Sequence, residues 1–271
     1  MAESDNRRGK TKSANGVKAV ETSFTIVETL KKINGGKVTE IVDQTGYSKG
    51  AVYKHLTTLM DHDFVVKRGE EYTLGFRFLD YGGFIRSRYI GSELIKPQIQ
   101  ELAEITNEVA LFGIPEKDRV ITLFRENGNR GVFTRTRLGR RLYLNQTAGG
   151  KAILSEFSKS EVEGVIDRVG LPKATEHTIT DEDELFDELE TIRDRGYALN
   201  REESTEGLVA VSVPLVPDGT LIGTCSITGP RHRMTEDQLT GEFPELLLSV
   251  VNELELNITH SSGPVQMFCP E

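Results

Sequence analysis

Between Val38 and Leu74 the chain reads VTEIVDQTGYSKGAVYKHLTTLMDHDFVVKRGEEYTL, and this stretch restricts the fold more than any other. Ile41 and Val42 are the apolar positions of a short helix beginning near Thr39. Thr45-Gly46-Tyr47 breaks that helix, because glycine takes the left-handed backbone conformation a tight turn needs. Ser48 stands where an N-cap stands, and Val52, Leu56, Leu59 and Met60 follow at helical spacing. Two short helices set at a steep angle by a glycine turn make a helix-turn-helix. Phe64-Val65-Val66 and Tyr72-Thr73-Leu74 then read as strands joined by Lys67-Arg68-Gly69-Glu70-Glu71, which turns the motif into a winged helix.

The second helix must turn its apolar stripe to a small core. Exposed near its start are then Ser48, Lys49, Gly50, Tyr53, Lys54 and Thr57. A major groove admits one helix, whose first turns meet the base edges. Lys49 and Lys54 reach phosphates or guanine acceptors, Ser48, Tyr53 and Thr57 offer neutral contacts, and Gly50 allows close approach. Thr39, Lys67 and Arg68 complete the expected set of DNA contacts. The competing reading is an ordinary helical hairpin with solvated lysines; the wing directly afterwards favours duplex DNA.

At 271 residues the chain is long enough for two domains with their own cores. Its formal net charge of -9 is unevenly spread: through Gly91 there are 15 Lys and Arg against 11 Asp and Glu, whereas the remainder carries 18 against 31. A basic end joined to an acidic domain with another task fits that asymmetry. Cys225 and Cys269 cannot form a disulfide framework, and the five histidines show no metal-ligand spacing, so neither metal nor cofactor is expected. No apolar run approaches membrane-spanning length and the first residues lack a signal-peptide core, which makes a cytoplasmic protein the expectation.

The expected organisation is a disordered tail over 1–16, a winged helix-turn-helix over 17–75, a linker helix over 76–91, a second domain over 92–260 and a polar tail over 261–271. Val20 to Ile33 reads as the opening helix, with Phe24, Ile26, Val27 and Leu30 inward. Ser92 to Thr106 reads as a helix with Leu94, Ile99, Leu102 and Ile105 inward. Strands are expected at Glu108–Pro115, Arg119–Glu126, Val132–Arg137, Leu142–Asn145, Val209–Leu215 and Leu221–Ile227. Helices are expected at Lys151–Phe157, Lys159–Val169, Asp181–Arg195 and Thr235–Leu256, the last interrupted near Pro244. Hairpins with helices on their faces imply an α+β domain around a mostly antiparallel sheet.

Within that domain, Gln146-Thr147-Ala148-Gly149-Gly150-Lys151 sits between a strand and a helix. N–H groups at a helix start are unpaired and carry the positive end of the dipole, and Gly149 and Gly150 let a carboxylate or phosphate approach them. A plain glycine-rich turn explains the segment equally well, and it is not a P-loop. Arg135, Arg137, Arg140 and Arg141 precede it and either attract an acid or are simply solvated. No nucleophile, base and orienting residue are arranged together.

With these pieces placed, the chain resembles the IclR family of transcriptional regulators from about Val17 to about Leu256. KAVETSFTIVETL resembles the opening helix, and the Val38–Val65 segment followed by YTLGFRFLDYG resembles the winged helix and linker. LGRRLYLNQTAGGKAIL resembles the segment at the ligand pocket, and RDRGYALNREESTEGLVAVSVPL with GTCSITGPRHRMT resembles two later pocket-lining strands. The resemblance implies a GAF-like effector-binding domain and dimers or tetramers on palindromic operators. It carries pocket roles onto Leu142, Ala148, Gly149, Asn200, Ala210, Ser226 and Thr228, with Gly150 completing the turn. The chain departs from the family pattern at Asn145-Gln146-Thr147, at Asn200, at Ala210 and at Tyr143, where the family often has His-Ala-Thr/Ser, an acidic residue, Cys or Ala, and proline. Gln146 and Asn200 at the pocket mouth would suit a hydroxylated, sugar-derived acid. The implied function is a ligand-responsive DNA-binding regulator rather than an enzyme. The alternatives are a small-carboxylate enzyme with a nucleic-acid-binding appendage, and a bare structural DNA-binding protein.

Overall fold

A computed structural model describes residues 15–129 and 137–260. It divides into two compact units between Ile85 and Arg86, inside the segment expected to be a linker helix. The expectations for the two tails, for Arg135 and for most of a strand at Val132–Arg137 lie outside the described residues.

The first unit contains α1 (Lys18–Ile33), α2 (Val38–Thr45), α3 (Lys49–Asp61), β1 (Val65–Arg68), β2 (Glu71–Leu74) and the start of α4 (Arg77–Ser87). Gly46 ends α2 with φ at 71° and donates its N–H to Val42 O at 2.8 Å, which is the glycine turn between the two helices. Ser48 caps α3 by accepting the Ala51 N–H at 3.2 Å. Ile26, Leu30, Ile41, Val52, Leu56, Val65 and Tyr72 form the core. In α1 the buried stripe is Thr22, Ile26, Val27 and Leu30. Phe24 lies two residues from both Thr22 and Ile26, on the opposite side of the helix, and is 62% exposed, which corrects its inward placement. The wing is tighter than the spacing suggested. β1 and β2 pair antiparallel from Val65↔Leu74 to Arg68↔Glu71 around Gly69-Glu70, so Lys67 and Arg68 belong to a strand rather than to a loop.

The second unit is built on one six-stranded antiparallel sheet in the order β5-β4-β3-β8-β7-β6. Its strands are β3 (Val109–Glu116), β4 (Arg119–Asn127), β5 (Arg141–Tyr143), β6 (Ala198–Arg201), β7 (Leu208–Leu215) and β8 (Gly223–Pro230). Against one face lie α5 (Ser92–Thr106) and α9 (Phe243–His260), in a core with Ala110, Phe112, Phe124, Val209, Val211, Val213, Cys225 and Ile227. Against the other lie α6 (Ala148–Ser155), α7 (Lys159–Val169) and α8 (Glu182–Arg195), in a core with Val120, Leu144, Ala152, Leu185 and Ala198. The alternation of strand side chains assigns each residue to one face. Burial, helped by the Glu255 carboxylate, pushes the Cys225 thiol up to about 12, so it packs as a small protonated side chain.

Several elements differ from the spacing-based reading. The α5 stripe is Ile95, Ile99, Leu102 and Ala103; Ile105 falls on its flank in the last turn and is 57% exposed. Leu144-Asn145-Gln146 is a single 3-10 turn rather than the end of a strand. β6 was not foreseen. Gln238–Glu242 forms one wide π turn with helical backbone on both sides, and it runs directly into α9, whose second residue is Pro244. Among the described residues no helix is long and apolar enough to cross a membrane.

Candidate nucleic-acid interface and ligand site

The first turns of α3 bring Ser48, Lys49, Gly50, Tyr53 and Lys54 together, all exposed, at the positive end of the helix dipole. Tyr53 leaves 57% of its surface in solvent. Thr57 is half-buried and its hydroxyl donates to Tyr53 O at 3.0 Å, so it offers a methyl rather than a free donor. Thr39 is exposed at the start of α2. Lys67 and Arg68 are exposed on β1, and the Lys67 ammonium lies 5.5 Å from the centre of the Tyr72 ring and 3.9 Å from Glu70. An exposed pair of that length holds a lysine weakly, so Lys67 remains available to a phosphate. Asp61 and Asp63 sit at or beyond the other end of α3, which leaves the helix basic at its start and acidic at its finish. The ring Nδ1 of His55 and the Ser23 hydroxyl, 2.8 Å apart, fasten α3 to α1.

The second site grows from the start of α6. Thr147 is the N-cap, and its hydroxyl oxygen accepts the Gly150 N–H at 2.9 Å. The two glycines are therefore in the first helical turn and not before it; the helix begins at Ala148 and not at Lys151. Gly150 is occupied on both counts. Its N–H is bonded to Thr147, and a Cβ there would lie 2.2 Å from Leu144 O, so this glycine lets the 3-10 turn close against the helix. Gly149 faces the sheet. A Cβ on it would stand 2.9 Å from Thr224 Oγ1, 3.5 Å from Ser226 Oγ and 3.7 Å from Ser212 Oγ. The helix start thus rests on a patch of hydroxyls supplied by β7 and β8.

Register sets out that patch. Thr228 stands opposite Val109 and Ala210, and Ala210 opposite Asn200; Ser226 stands opposite Leu111 and Ser212; Thr224 stands opposite Gly113 and Pro214. Ser212 and Ser226 hydroxyls are 2.8 Å apart, and Thr228 donates to Val209 O at 3.0 Å. The Thr224 hydroxyl is wholly buried and has no hydrogen-bond partner among the described residues. An unmatched buried hydroxyl is costly unless something else comes to meet it. Ala148 is buried beside these strands, while Leu142 and Ala210 are partly open.

Asn200 and Gln146 have other employment than the expected polar mouth. The Asn200 amide donates to Gln146 O at 2.7 Å and its oxygen accepts the Glu203 N–H at 3.2 Å. The Gln146 amide donates to Pro172 O at 2.8 Å, and that of Asn145 to Ile179 O at 2.9 Å. Glu203, held in this way, meets Lys151, whose side chain is 2% exposed, at 2.8 Å; Lys151 also reaches Glu188 at 3.3 Å, and Glu188 meets Arg195 at 3.0 Å. A buried charge cluster therefore pins α6 to α8 and to the loop after β6.

Spacing alone did not point to Lys151, Glu188, Glu203, Ser212 or Thr224. For the two hydroxyls a signal was present: in VAVSVPL and GTCSITGP a small or polar residue falls at alternate positions of otherwise apolar strands. Two surface clefts lie away from the glycine turn. One, of about 550 Å3, is lined by residues such as Phe157, Lys159, Phe186 and Arg193, and the other, of about 310 Å3, by residues such as Arg201, Arg231 and Glu236. In the second cleft Arg201 pairs with Glu236 and Arg231 with Glu202, so its charges are spent. Among the described residues no group of His, Cys, Asp and Glu is placed to hold a metal ion.

Comparison with known proteins agrees with this geometry. The model for the IclR helix-turn-helix domain matches residues 19–69, and that for the bacterial transcriptional regulator IclR C-terminal domain matches residues 90–255. The chain is 28% identical over 263 residues to the HTH-type transcriptional regulator KdgR of Escherichia coli, covering 93% of this chain and 97% of that one. The crystal structure of the Thermotoga maritima IclR superposes with a TM-score of 0.75 at 26% identity, covering 89% of this chain and 98% of that one. The inducer-binding domain of PobR from Acinetobacter, a double mutant in complex with 3-hydroxybenzoic acid, superposes with a TM-score of 0.57 at 26% identity, covering 60% of this chain and 96% of that domain.

Proposed function

The chain belongs to the IclR family and is a ligand-responsive DNA-binding transcription regulator, and on that premise we propose that α3 reads a palindromic operator within a two-fold dimer while the start of α6 holds a small organic acid. The observation that carries the ligand half is the buried Thr224 hydroxyl beneath Gly149. A carboxylate entering there would face the N–H groups of Ala148 and Gly149, since that of Gly150 is bonded to Thr147, together with the Thr224 and Ser226 hydroxyls. The helix start favours negative charge without a full positive charge in the pocket, which suits reversible sensing. The acid in the PobR complex supports this class of ligand. Leu142, Ala148 and Ala210 supply walls, and Asn200 shapes the site by holding Gln146 and Glu203. For a switch, the acid must bind the two conformations of the regulator unequally.

On the DNA side, Lys49, Tyr53 and Lys54 are the contacts we expect to matter most, with Thr39, Ser48, Gly50, Thr57, Lys67 and Arg68 around them. Lys54→Ala should weaken operator binding, and if the contact is to phosphate alone it should flatten the dependence of log K on log salt by about one unit. Titration of a labelled operator at several salt concentrations reads both. A folded variant with alanine at all three positions that binds the operator normally would remove α3 from the interface.

One winged helix reads only a few base pairs, so specificity calls for two half-sites and a dimer. The first unit carries an apolar surface suited to that task. Phe78 packs on Phe64, with ring centres 4.8 Å apart, but Phe76, Leu79 and Phe84 stay exposed. We expect dimers or tetramers at micromolar concentration, and a dimer weakened by Leu79→Glu with Phe84→Glu. Light scattering that finds a monomer with and without operator DNA rules the assembly out.

A further inference from the structure

The strand hydroxyls beneath α6 differ in where their protons go. A hydroxyl has one proton to give and two lone pairs to receive with, whereas a carbonyl oxygen can only receive. Ser212 Oγ lies 3.1 Å from Cys225 O, so the Ser212 proton is given there. Ser212 and Ser226 are 2.8 Å apart, and the proton between them must therefore come from Ser226. Thr228 gives its proton to Val209 O at 3.0 Å. Toward a ligand, Ser226 and Thr228 thus present lone pairs alone. Thr224 is the exception, since its buried hydroxyl has no partner among the described residues and keeps its proton free. Turning Ser226 into a donor would oblige Ser212 to swing its proton over and give up the bond to Cys225 O, within a buried strand where a lost hydrogen bond is not replaced by water.

Gly149 brings a ligand to both kinds of hydroxyl at once. The point where a Cβ would stand on this glycine is 2.9 Å from Thr224 Oγ1 and 3.5 Å from Ser226 Oγ, so a group set against it meets one donor and one acceptor. A carboxylate takes the Thr224 proton and the N–H groups of the helix start, but it has no proton for Ser226. A 2-oxo group has none either, and a plain methylene leaves the serine bare. An ammonium could supply one, but it would set a positive charge beside the positive end of the α6 dipole. A neutral hydroxyl on the carbon next to the carboxylate meets both demands. We infer that the effector is a 2-hydroxy acid, its carboxylate at Thr224 and the start of α6 and its hydroxyl donating to Ser226. This rests on the ligand site proposed above. Thr228 stands two residues farther along β8, opposite the half-buried Ala210, and there accepts from a further hydroxyl when the acid carries a longer polyol chain. The Gln146 and Asn200 amides, engaged with backbone oxygens, take no part.

The test is calorimetry on the full chain with matched sets of acids: lactate with pyruvate and propionate, glycerate with hydroxypyruvate and 3-hydroxypropionate, gluconate with 2-oxogluconate and 2-deoxygluconate, and mandelate with phenylglyoxylate and phenylacetate. In at least one set the 2-hydroxy acid should bind about tenfold tighter than both partners. Ser226→Ala removes the acceptor and should bring that set to within about twofold. Ser212→Ala acts in the opposite sense, because it releases the Ser226 proton to the ligand. It should raise affinity for the 2-oxo acid while the 2-hydroxy acid gains nothing. A damaged fold does not strengthen binding, so that gain reports on the proton even if Ser226→Ala fails to fold. Gly149→Leu should lose every acid. Equal binding across all the sets, a preference that survives Ser226→Ala, no gain for the 2-oxo acid in Ser212→Ala, or no 2-hydroxy acid bound at millimolar concentration overturns the inference. Plain acids that bind the wild type without preference for the hydroxyl, and are lost in Gly149→Leu, leave the α6 site standing and remove only the 2-hydroxy acid. Binding indifferent to Gly149 and to both serines removes the two together.

Discussion

Lys151→Met should cost the effector-binding domain about 3–5 kcal/mol, because it strips the cation from a carboxylate that cannot reach water. Glu203 has a side chain only 8% exposed and meets Lys151 at 2.8 Å. Glu188 fares better, since Arg195 remains 3.0 Å away. Glu203→Gln should be milder, as the amide keeps an acceptor for the Lys151 ammonium and for the Arg201 N–H, now 3.2 Å from a Glu203 oxygen. Removing both charges at once, as in Lys151→Met with Glu203→Leu, should recover most of the loss, since a buried pair roughly balances its own desolvation. Urea unfolding of the wild type, Lys151→Met, Glu203→Leu and the double variant completes the cycle. A single lysine variant as stable as the wild type would mean that Glu203 finds solvent, and the clamp on α6 would have to be abandoned.

Gly149→Leu is the second large effect, and it falls on signalling rather than on stability. The leucine Cβ begins 2.9 Å from Thr224 Oγ1, with the Ser226 and Ser212 hydroxyls just beyond. Its branched end must then occupy the ground between helix and sheet where an acid would lie. Overpacking of this kind typically costs about 1–3 kcal/mol, which a helix clamped by Lys151 can absorb. The winged helix has its own core of Ile26, Leu30, Ile41, Val52, Leu56, Val65 and Tyr72. Operator affinity should therefore survive while the metabolite no longer alters it. Mobility shifts with and without ligand on one preparation read both quantities. Undiminished affinity for the cognate acid would move the pocket elsewhere.

Much of this architecture could be read from the chain because local signals and packing agree. Gly46, Ser48 and the Val52–Leu56 spacing each demand the same helix-turn-helix, and the structure has all three in those roles. Hydrophobicity alone does not give direction. Phe24 and Ile105 are apolar yet exposed, because position on the helix decides which side faces the core. The start of α6 was misplaced because glycines were read as a break, whereas Thr147 captures the Gly150 N–H and carries the helix through them. Within the candidate ligand site, Gly149 was legible as part of a glycine-rich helix start, whereas pocket roles for Ala148, Ser226 and Thr228 came from resemblance to a family. The Lys151–Glu203 pair had no local signal at all, since its partners are 52 residues apart and meet only once β6 has folded.

The alternation along β7 and β8 also bears on how such a protein changes over generations. Val209, Val211, Val213, Cys225 and Ile227 bind the sheet to α5 and α9, while Ala210, Ser212, Thr224, Ser226 and Thr228 look the other way. Residues that secure the scaffold and residues on the face proposed to meet a metabolite are thus interleaved but distinct. Point substitutions at the second group can shift a lineage from one metabolite to another while the first group keeps the domain folded and the operator module unaltered. Insertion of a single residue into β8 has the opposite character, since it exchanges the two faces and forfeits scaffold and recognition together. Drift in ligand preference is therefore open by substitution and closed by insertion.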